Sequence, residues 1–254
     1  YGRWGLVLLE LLPRGSTYTG VDTSGPLLAK GRQIYAQRSY EAQFIEADVR
    51  NVPLEDDSFD LAFCHAVLMH VPEPQRAVAE MVRVTRDGGM VIACEGNRNA
   101  VAALLHIEES NELDNVPLEL FQTMNRHVRE RSGVDYNIGA RMPILLHRAG
   151  LKDIACRVTD AVRLLLPPLD SAKDQQLFEA ICNEGMGYQP SDAKEIIQWE
   201  QRLVSHGVSP AQARKEVRRE LQRDYRHKGT DYHTVWPSLL TFSYGTVVKP
   251  TSAI

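Results

Sequence analysis

The strongest constraint in this sequence lies in its first hundred residues, where short apolar runs alternate with stretches of helical period. Leu61 to Cys64 and Met90 to Cys94 are continuous apolar runs, the pattern of strands buried on both faces. Thr17 to Asp22 and Ala42 to Ile45 make two further short strands, the first rich in β-branched and aromatic residues. Helices fall between them. Residues 3–12 form one, closed by Pro13 and Gly15. Ser24 opens a second as its N-cap, with Gly25 and Pro26 in the first turn. Pro74 to Val84 form a third, with Val78, Met81 and Val82 as the apolar stripe. Strands alternating with helices, with all-apolar strand cores, specify an α/β fold whose mostly parallel sheet carries helices on both faces.

After Gly96 the texture changes. Residues 98–148 read as helical, with segments near 99–109, 117–131 and 138–148. Residues 149–168 return to strand character, and Pro167-Pro168 ends them. Residues 169–237 are again helical and polar, with helices near 172–184, 192–205 and 209–227. Residues 238–254 hold a final strand, Leu239 to Val248. The chain therefore reads as an α/β core (1–97, the strand in 149–168, and 238–254) carrying two helical insertions, the second a lid or a dimerisation arm.

Composition removes several function classes. A chain of 254 residues buries enough surface to need no staple. The four cysteines, Cys64, Cys94, Cys156 and Cys182, show no metal-ligand spacing, so no metal is expected and reduced thiols in a cytoplasmic protein are. No apolar run approaches the length of a membrane span. The formal charge of −4 argues against nucleic-acid binding by bulk electrostatics. One local exception is the stretch 214–228, with seven basic residues against three acids, which reads either as a solvated face or as an RNA-contacting helix.

The residues that carry chemistry cluster where strands end, which is where open α/β sheets bind ligands. Tyr1 and Gly2 run straight into a helix, an arrangement that lets a ligand approach backbone N–H groups. Asp22 stands twenty residues after Gly2, at the end of the next strand, where a carboxylate can accept both hydroxyls of a ribose. Asp48, with Val49, follows the next strand and suits the exocyclic amine of a purine. Cys64 and His65 end the strand after that, with Leu68 and His70 in the following turn. Glu95 directly follows the strand Met90 to Cys94 and points toward the crevice. Glu95, His65, His106 and His233 are the candidate general bases, Glu95 and His65 first among them.

These runs carry a family resemblance. Phe44-Ile45-Glu46-Ala47-Asp48, then Leu54, then Asp57-Ser58-Phe59-Asp60-Leu61, resembles the class I S-adenosylmethionine-dependent methyltransferases. So do Val67-Leu68-Met69-His70-Val71, Met81-Val82-Arg83-Val84 and Asp87-Gly88-Gly89. The texture is similar to the small-molecule, ubiquinone-biosynthesis-like branch over about residues 1–97. That resemblance implies a Rossmann-like seven-stranded sheet with its last strand antiparallel. Its first strand is missing from this sequence, and of the glycine motif only Gly2 is present. The resemblance therefore implies several tens of residues upstream of Tyr1. It also implies S-adenosyl-L-methionine as cofactor, with S-adenosyl-L-homocysteine as product. Tyr1 and Gly2 would lie against its methionine part, Asp22 and Thr23 at the ribose, Asp48 and Val49 at the adenine, and Cys64, His65 and Leu68 near the sulfonium. The reaction implied is in-line methyl transfer to an N or O atom of a small organic acceptor.

Two other readings stay open. A strand-end acid after a glycine also fits an NAD(P)-dependent oxidoreductase, although no Tyr-x-x-x-Lys pair and no complete GxGxxG occurs. The basic helix 214–228 would suit an RNA methyltransferase. Met186, Tyr188, Trp199, Tyr232, His233, Trp236, Phe242 and Tyr244 gather in the second insertion and its flank, either as that insertion's own core or as contacts for an apolar, aromatic or cationic acceptor.

Overall fold

The computed structural model describes residues 2–38, 40–109, 112–113, 118–183, 192–223 and 231–250. The first helix, α1 (Arg3–Leu11), leads into β1 (Tyr18–Asp22), α2 (Gly25–Gln37) and β2 (Ala42–Glu46). β1 and β2 pair in parallel, Gly20 opposite Phe44 and Asp22 opposite Glu46. Ser24 caps α2 by accepting the Leu27 N–H, with proline in the first turn as expected from the sequence. Leu6, Leu9, Leu28, Tyr35 and Phe44 form the core between these elements. Gly5 is required there, because a Cβ would collide with the Tyr35 hydroxyl and the Tyr18 ring.

The main sheet follows. β3 (Phe59–His65) lies parallel to β4 (Thr85–Gly96), joined through α3 (Pro74–Val84). Asp87-Gly88-Gly89 lies in a bulge within β4: Phe59 pairs with Thr85 but Leu61 with Met90, and Gly88 takes φ +71°. The register shift absorbs those residues without ending the strand. β10 (Leu240–Thr246) is antiparallel to β4 and also to β7 (Lys152–Val158), giving the order β3-β4-β10-β7. The sheet is therefore mixed. Leu68, Val78, Val91, Ala93, Ile138, Met142 and Leu146 pack its principal core, with α6 (Met142–Arg148) against it.

The remainder departs from the expectation of helical insertions. α4 (Arg98–Leu104) stops at Leu105, and β5 (His106–Glu109) replaces the second half of the helix expected at 99–109. The stretch 149–168, expected as one core strand, is two. β7 stays in the main sheet, and β8 (Val162–Leu165) enters a second one. That sheet has the antiparallel order β6-β5-β9-β8, with β6 (Glu112–Leu113) and β9 (His233–Pro237). β9 lies in the stretch expected to be helical and pairs with β5 across more than a hundred residues of sequence. A long-range ladder of this kind overrides local pattern. Ile107, Leu165, Ile181 and Tyr232 form the core under it, with α7 (Ala172–Asn183) alongside. α5 (Leu118–Ser132), α8 (Ala193–Ser205) and α9 (Pro210–Arg223) share another core of Leu120, Leu203, Val208, Ala213 and Val217. Among the described residues no ladder joins β1 to β3.

Candidate functional site

Four strand ends meet the requirement for a ligand edge, and each carries a polar group whose neighbours decide what it can do. Asp22 ends β1. Its Oδ1 accepts the Ser24 N–H at 2.9 Å, which fixes the turn into α2. Asp48 follows β2, and Arg50 holds both of its oxygens: Nη2 donates to Oδ2 at 2.6 Å, and the Arg50 N–H and Nε donate to Oδ1 at 2.8 and 3.0 Å. These charge-assisted bonds hold the Asp48 carboxyl down to about 2. Val49 beside it packs against the principal core, and Thr23 is exposed.

β3 and β4 present opposite faces at their ends, since side chains alternate along a strand. Cys64 and Glu95 point into the principal core, while His65 points to the other face, where Trp4 of α1 covers it. The two rings stack with centroids 4.6 Å apart and planes 26° apart. His65 Nε2 is buried and has no hydrogen-bond partner among the described residues. Burial also holds the His65 imidazole below its ordinary value, so the ring is neutral at neutral pH and one nitrogen is available as an acceptor.

Glu95 is fully buried, and its carboxylate is saturated. Oε1 accepts the N–H groups of Val67 at 3.1 Å and Leu68 at 2.9 Å, and Oε2 accepts that of Met69 at 3.1 Å. The Cys64 thiol donates to Oε1 at 3.5 Å. Burial pushes the Glu95 carboxyl up, against the pull of those three N–H groups. Burial, with Glu95 next, pushes the Cys64 thiol well up, so it is no thiolate. Leu68, 1% exposed, packs inward with its N–H spent on Glu95. The carboxylate thus ties down the turn between β3 and the 3-10 helix Leu68–His70, a duty that sequence reasoning, which took Glu95 for a base, did not foresee.

Gly2 takes φ +70° at the head of α1, and its carbonyl accepts the Tyr35 hydroxyl at 2.7 Å. Tyr1 lies outside the described residues, as do Met186 and Tyr188. The other aromatics expected around an acceptor are not brought together. Trp199 packs with α5 and α9, Tyr232 and Trp236 lie under the second sheet, and Phe242 and Tyr244 belong to β10. His106 and His233 sit on β5 and β9, in the second sheet and not at the main sheet's edge. On α9, Arg214, Lys215 and Arg218 are exposed while Arg219 pairs with Glu216 at 2.8 Å; residues 224–228 lie outside the described set. Sequence reasoning also missed Trp4 as the cover of His65, although its place two residues after Gly2 was a signal.

The parallel pairs β1–β2 and β3–β4, with acids at consecutive strand ends and a glycine-headed helix beside them, form the kind of edge at which open α/β sheets bind ligands. Residues 2–93 match the family described as a methyltransferase domain. The demethylmenaquinone methyltransferase of Staphylococcus epidermidis is 35% identical over 92 residues, covering 36% of this chain and 38% of that protein. The phosphatidylethanolamine N-methyltransferase of Cereibacter sphaeroides is 36% identical over 86 residues, 33% of this chain and 42% of that one. The chain thus spans under half the length of these curated relatives. A solved structure from Bacillus halodurans, described as a candidate methyltransferase, shares the fold with a TM-score of 0.53 at 15% identity, covering 96% of this chain and 89% of that one.

Proposed function

We propose that this protein is a methyltransferase that binds S-adenosyl-L-methionine along the carboxyl ends of β1 to β4 and methylates a small organic acceptor. The observation that carries this reading is the pair of unfilled acceptors in a methyltransferase-family segment: buried His65 Nε2 without a partner, and Asp22 with one oxygen committed to Ser24 and the other left over. A buried polar atom without a partner is costly unless a ligand completes it. The split order, β2-β1 and then β3-β4-β10-β7, fits a seven-stranded sheet whose remaining strand stands between β1 and β3.

The residues present fit the cofactor. Asp22 would hold the ribose hydroxyls, with Thr23 at its side. Asp48 and the Val49 backbone would hold the adenine, the Arg50 pair keeping the carboxylate ionised and aimed. Gly2, with Tyr1 before it, would line the methionine part. The chemistry supplied by the bound group is a sulfonium-activated methyl, which needs no covalent intermediate on the protein. The work of this chain is therefore alignment and exclusion of water. Trp4 shields His65 on one face. Among the described strand-end groups, His65 is the one free to take a proton from an acceptor that must lose one. Glu95, with its oxygens spent, acts as the anchor of the turn that carries Leu68, and Cys64 and Leu68 support that turn from the core.

Calorimetric titration with S-adenosylhomocysteine and with NAD tests the reading. The homocysteine nucleoside is expected to bind and NAD is not, and Asp22→Ala should weaken that binding by about tenfold or more, since a buried hydrogen bond to charge is lost. Binding of NAD in its place would overturn the proposal in favour of the oxidoreductase.

A further inference from the structure

Just past the carboxyl end of β4, Arg98 opens α4 with its guanidinium carbon 3.8 Å from the centroid of the Tyr136 ring. The two residues are also locked through their backbones. The Arg98 N–H donates to the Tyr136 carbonyl at 3.2 Å, and the Asn99 N–H to Asn137 Oδ1 at 2.8 Å. Buried Asp135 fixes that turn in its place, accepting Arg141 Nη1 at 2.6 Å and the Asn137 N–H at 3.0 Å. His70 stands edge-on to Tyr136, centroids 5.7 Å apart at 74°. Since His70 ends the turn whose N–H groups Glu95 holds, this cluster lies at the strand-end edge that Glu95 and His65 occupy.

Arg98 has no carboxylate partner among the described residues. Other arginines around the fold are neutralised: Arg50, Arg83, Arg86 and Arg141 each meet a carboxylate at 2.6–2.7 Å. Stacking occupies the face of a guanidinium and leaves its in-plane N–H donors, a fork that matches the two oxygens of an anion. A stacked and unpaired arginine loses little further freedom when an anion arrives.

We propose that Arg98, seated on Tyr136 beside His70, recognises the methyl acceptor through an oxyanion that the acceptor carries, a carboxylate or a phosphate. The word acceptor rests on the methyltransferase reading above; the anion site itself does not.

Ligand-observed NMR with benzoate and phenyl phosphate, against neutral benzamide and benzyl alcohol, tests the site on the whole protein with and without saturating S-adenosylhomocysteine. At least one anion is expected to bind and the neutral compounds to bind about tenfold more weakly, the two anions separating carboxylate from phosphate. Arg98→Ala should abolish the preference. Arg98→Lys should keep part of it, as a point charge without the fork. Thermal unfolding of both variants should stay within about 4 °C of the parent, because Arg98→Ala loses at most the stack of an exposed side chain on Tyr136. Equal binding of benzamide and benzoate, an indifferent Arg98→Ala, or no binding of either anion would overturn the proposal. Should the anion bind through Arg98 while S-adenosylhomocysteine does not bind, the anion site stands and the methyltransferase reading falls.

Discussion

Glu95→Gln separates two roles for the same side chain. The substitution keeps shape and removes charge. Oε1 can still accept the Val67 and Leu68 N–H groups, but an amide nitrogen then stands in place of the oxygen that accepts Met69 N–H at 3.1 Å. Two donors would face each other in a site with no solvent access. A hydrogen bond to a charged group contributes about 1.5–3 kcal/mol, and a buried unmade donor adds to its loss, so the expected destabilisation is roughly 2–4 kcal/mol. For a chain of this size, at about 2–4 °C per kcal/mol, that corresponds to a fall in Tm of roughly 4–16 °C. Thermal unfolding of parent and variant at pH 7 reads the difference directly. The sequence expectation of a general base makes the opposite forecast, with Tm unchanged and turnover slowed. A variant whose Tm stays within about 1 °C of the parent while transfer falls by about tenfold or more would refute the anchor reasoning.

Two further outcomes follow from the same geometry. Gly5→Ala forces a methyl into the Tyr18 and Tyr35 rings; overpacking of that kind costs about 1–3 kcal/mol, and a urea midpoint equal to the parent's would contradict it. Burial depresses the folded-state pKa of His65, so its share of stability is present above the ordinary histidine value and is lost as pH falls through the folded one. Trp4→Ala uncovers the ring and should raise that pKa toward 6.5 and soften the acid loss, as followed by NMR titration of the imidazole; an unmoved titration would show that Trp4 is not its cover.

The α/β core was legible because its signals are local. The apolar runs at 61–64 and 90–94, the Ser24 cap and the Pro74 helix start each act within a few residues, and the elements fall where those signals place them. The acids at strand ends were legible for the same reason. What escaped depends on pairing over distance. β5 lies where Leu104-Leu105 continues a helical pattern, and its longer ladder is with β9, some 130 residues later. The residues His233-Thr234-Val235-Trp236-Pro237 did carry a β-branched and aromatic signal that the helical surroundings hid. Within the site, Asp22 and His65 were found by position alone. The duty of Glu95 was not, because the groups that saturate it are backbone N–H groups twenty-six to twenty-eight residues upstream. No side-chain pattern encodes such donors. The Arg98–Tyr136 stack is hidden likewise, since thirty-eight residues separate its members.

The place of β10 has a consequence for the order in which this molecule assembles. It is the last strand along the described chain, yet it stands inside the main sheet, between β4 and β7, and among the described residues β7 has no other neighbour there. β9, just before it, holds β5 and β8 together in the same way. At the crossing between the sheets, Thr159 and Leu240 exchange hydrogen bonds, and the Ser238 N–H meets the Ala161 carbonyl. One late ribbon thus closes both sheets, and closing such long loops is entropically slow. During synthesis β7 and β8 emerge with their edges bare and stay so while some seventy residues are added. A chain interrupted before residue 233 is left with a core of β1 to β4 and two strands that have nothing to pair with.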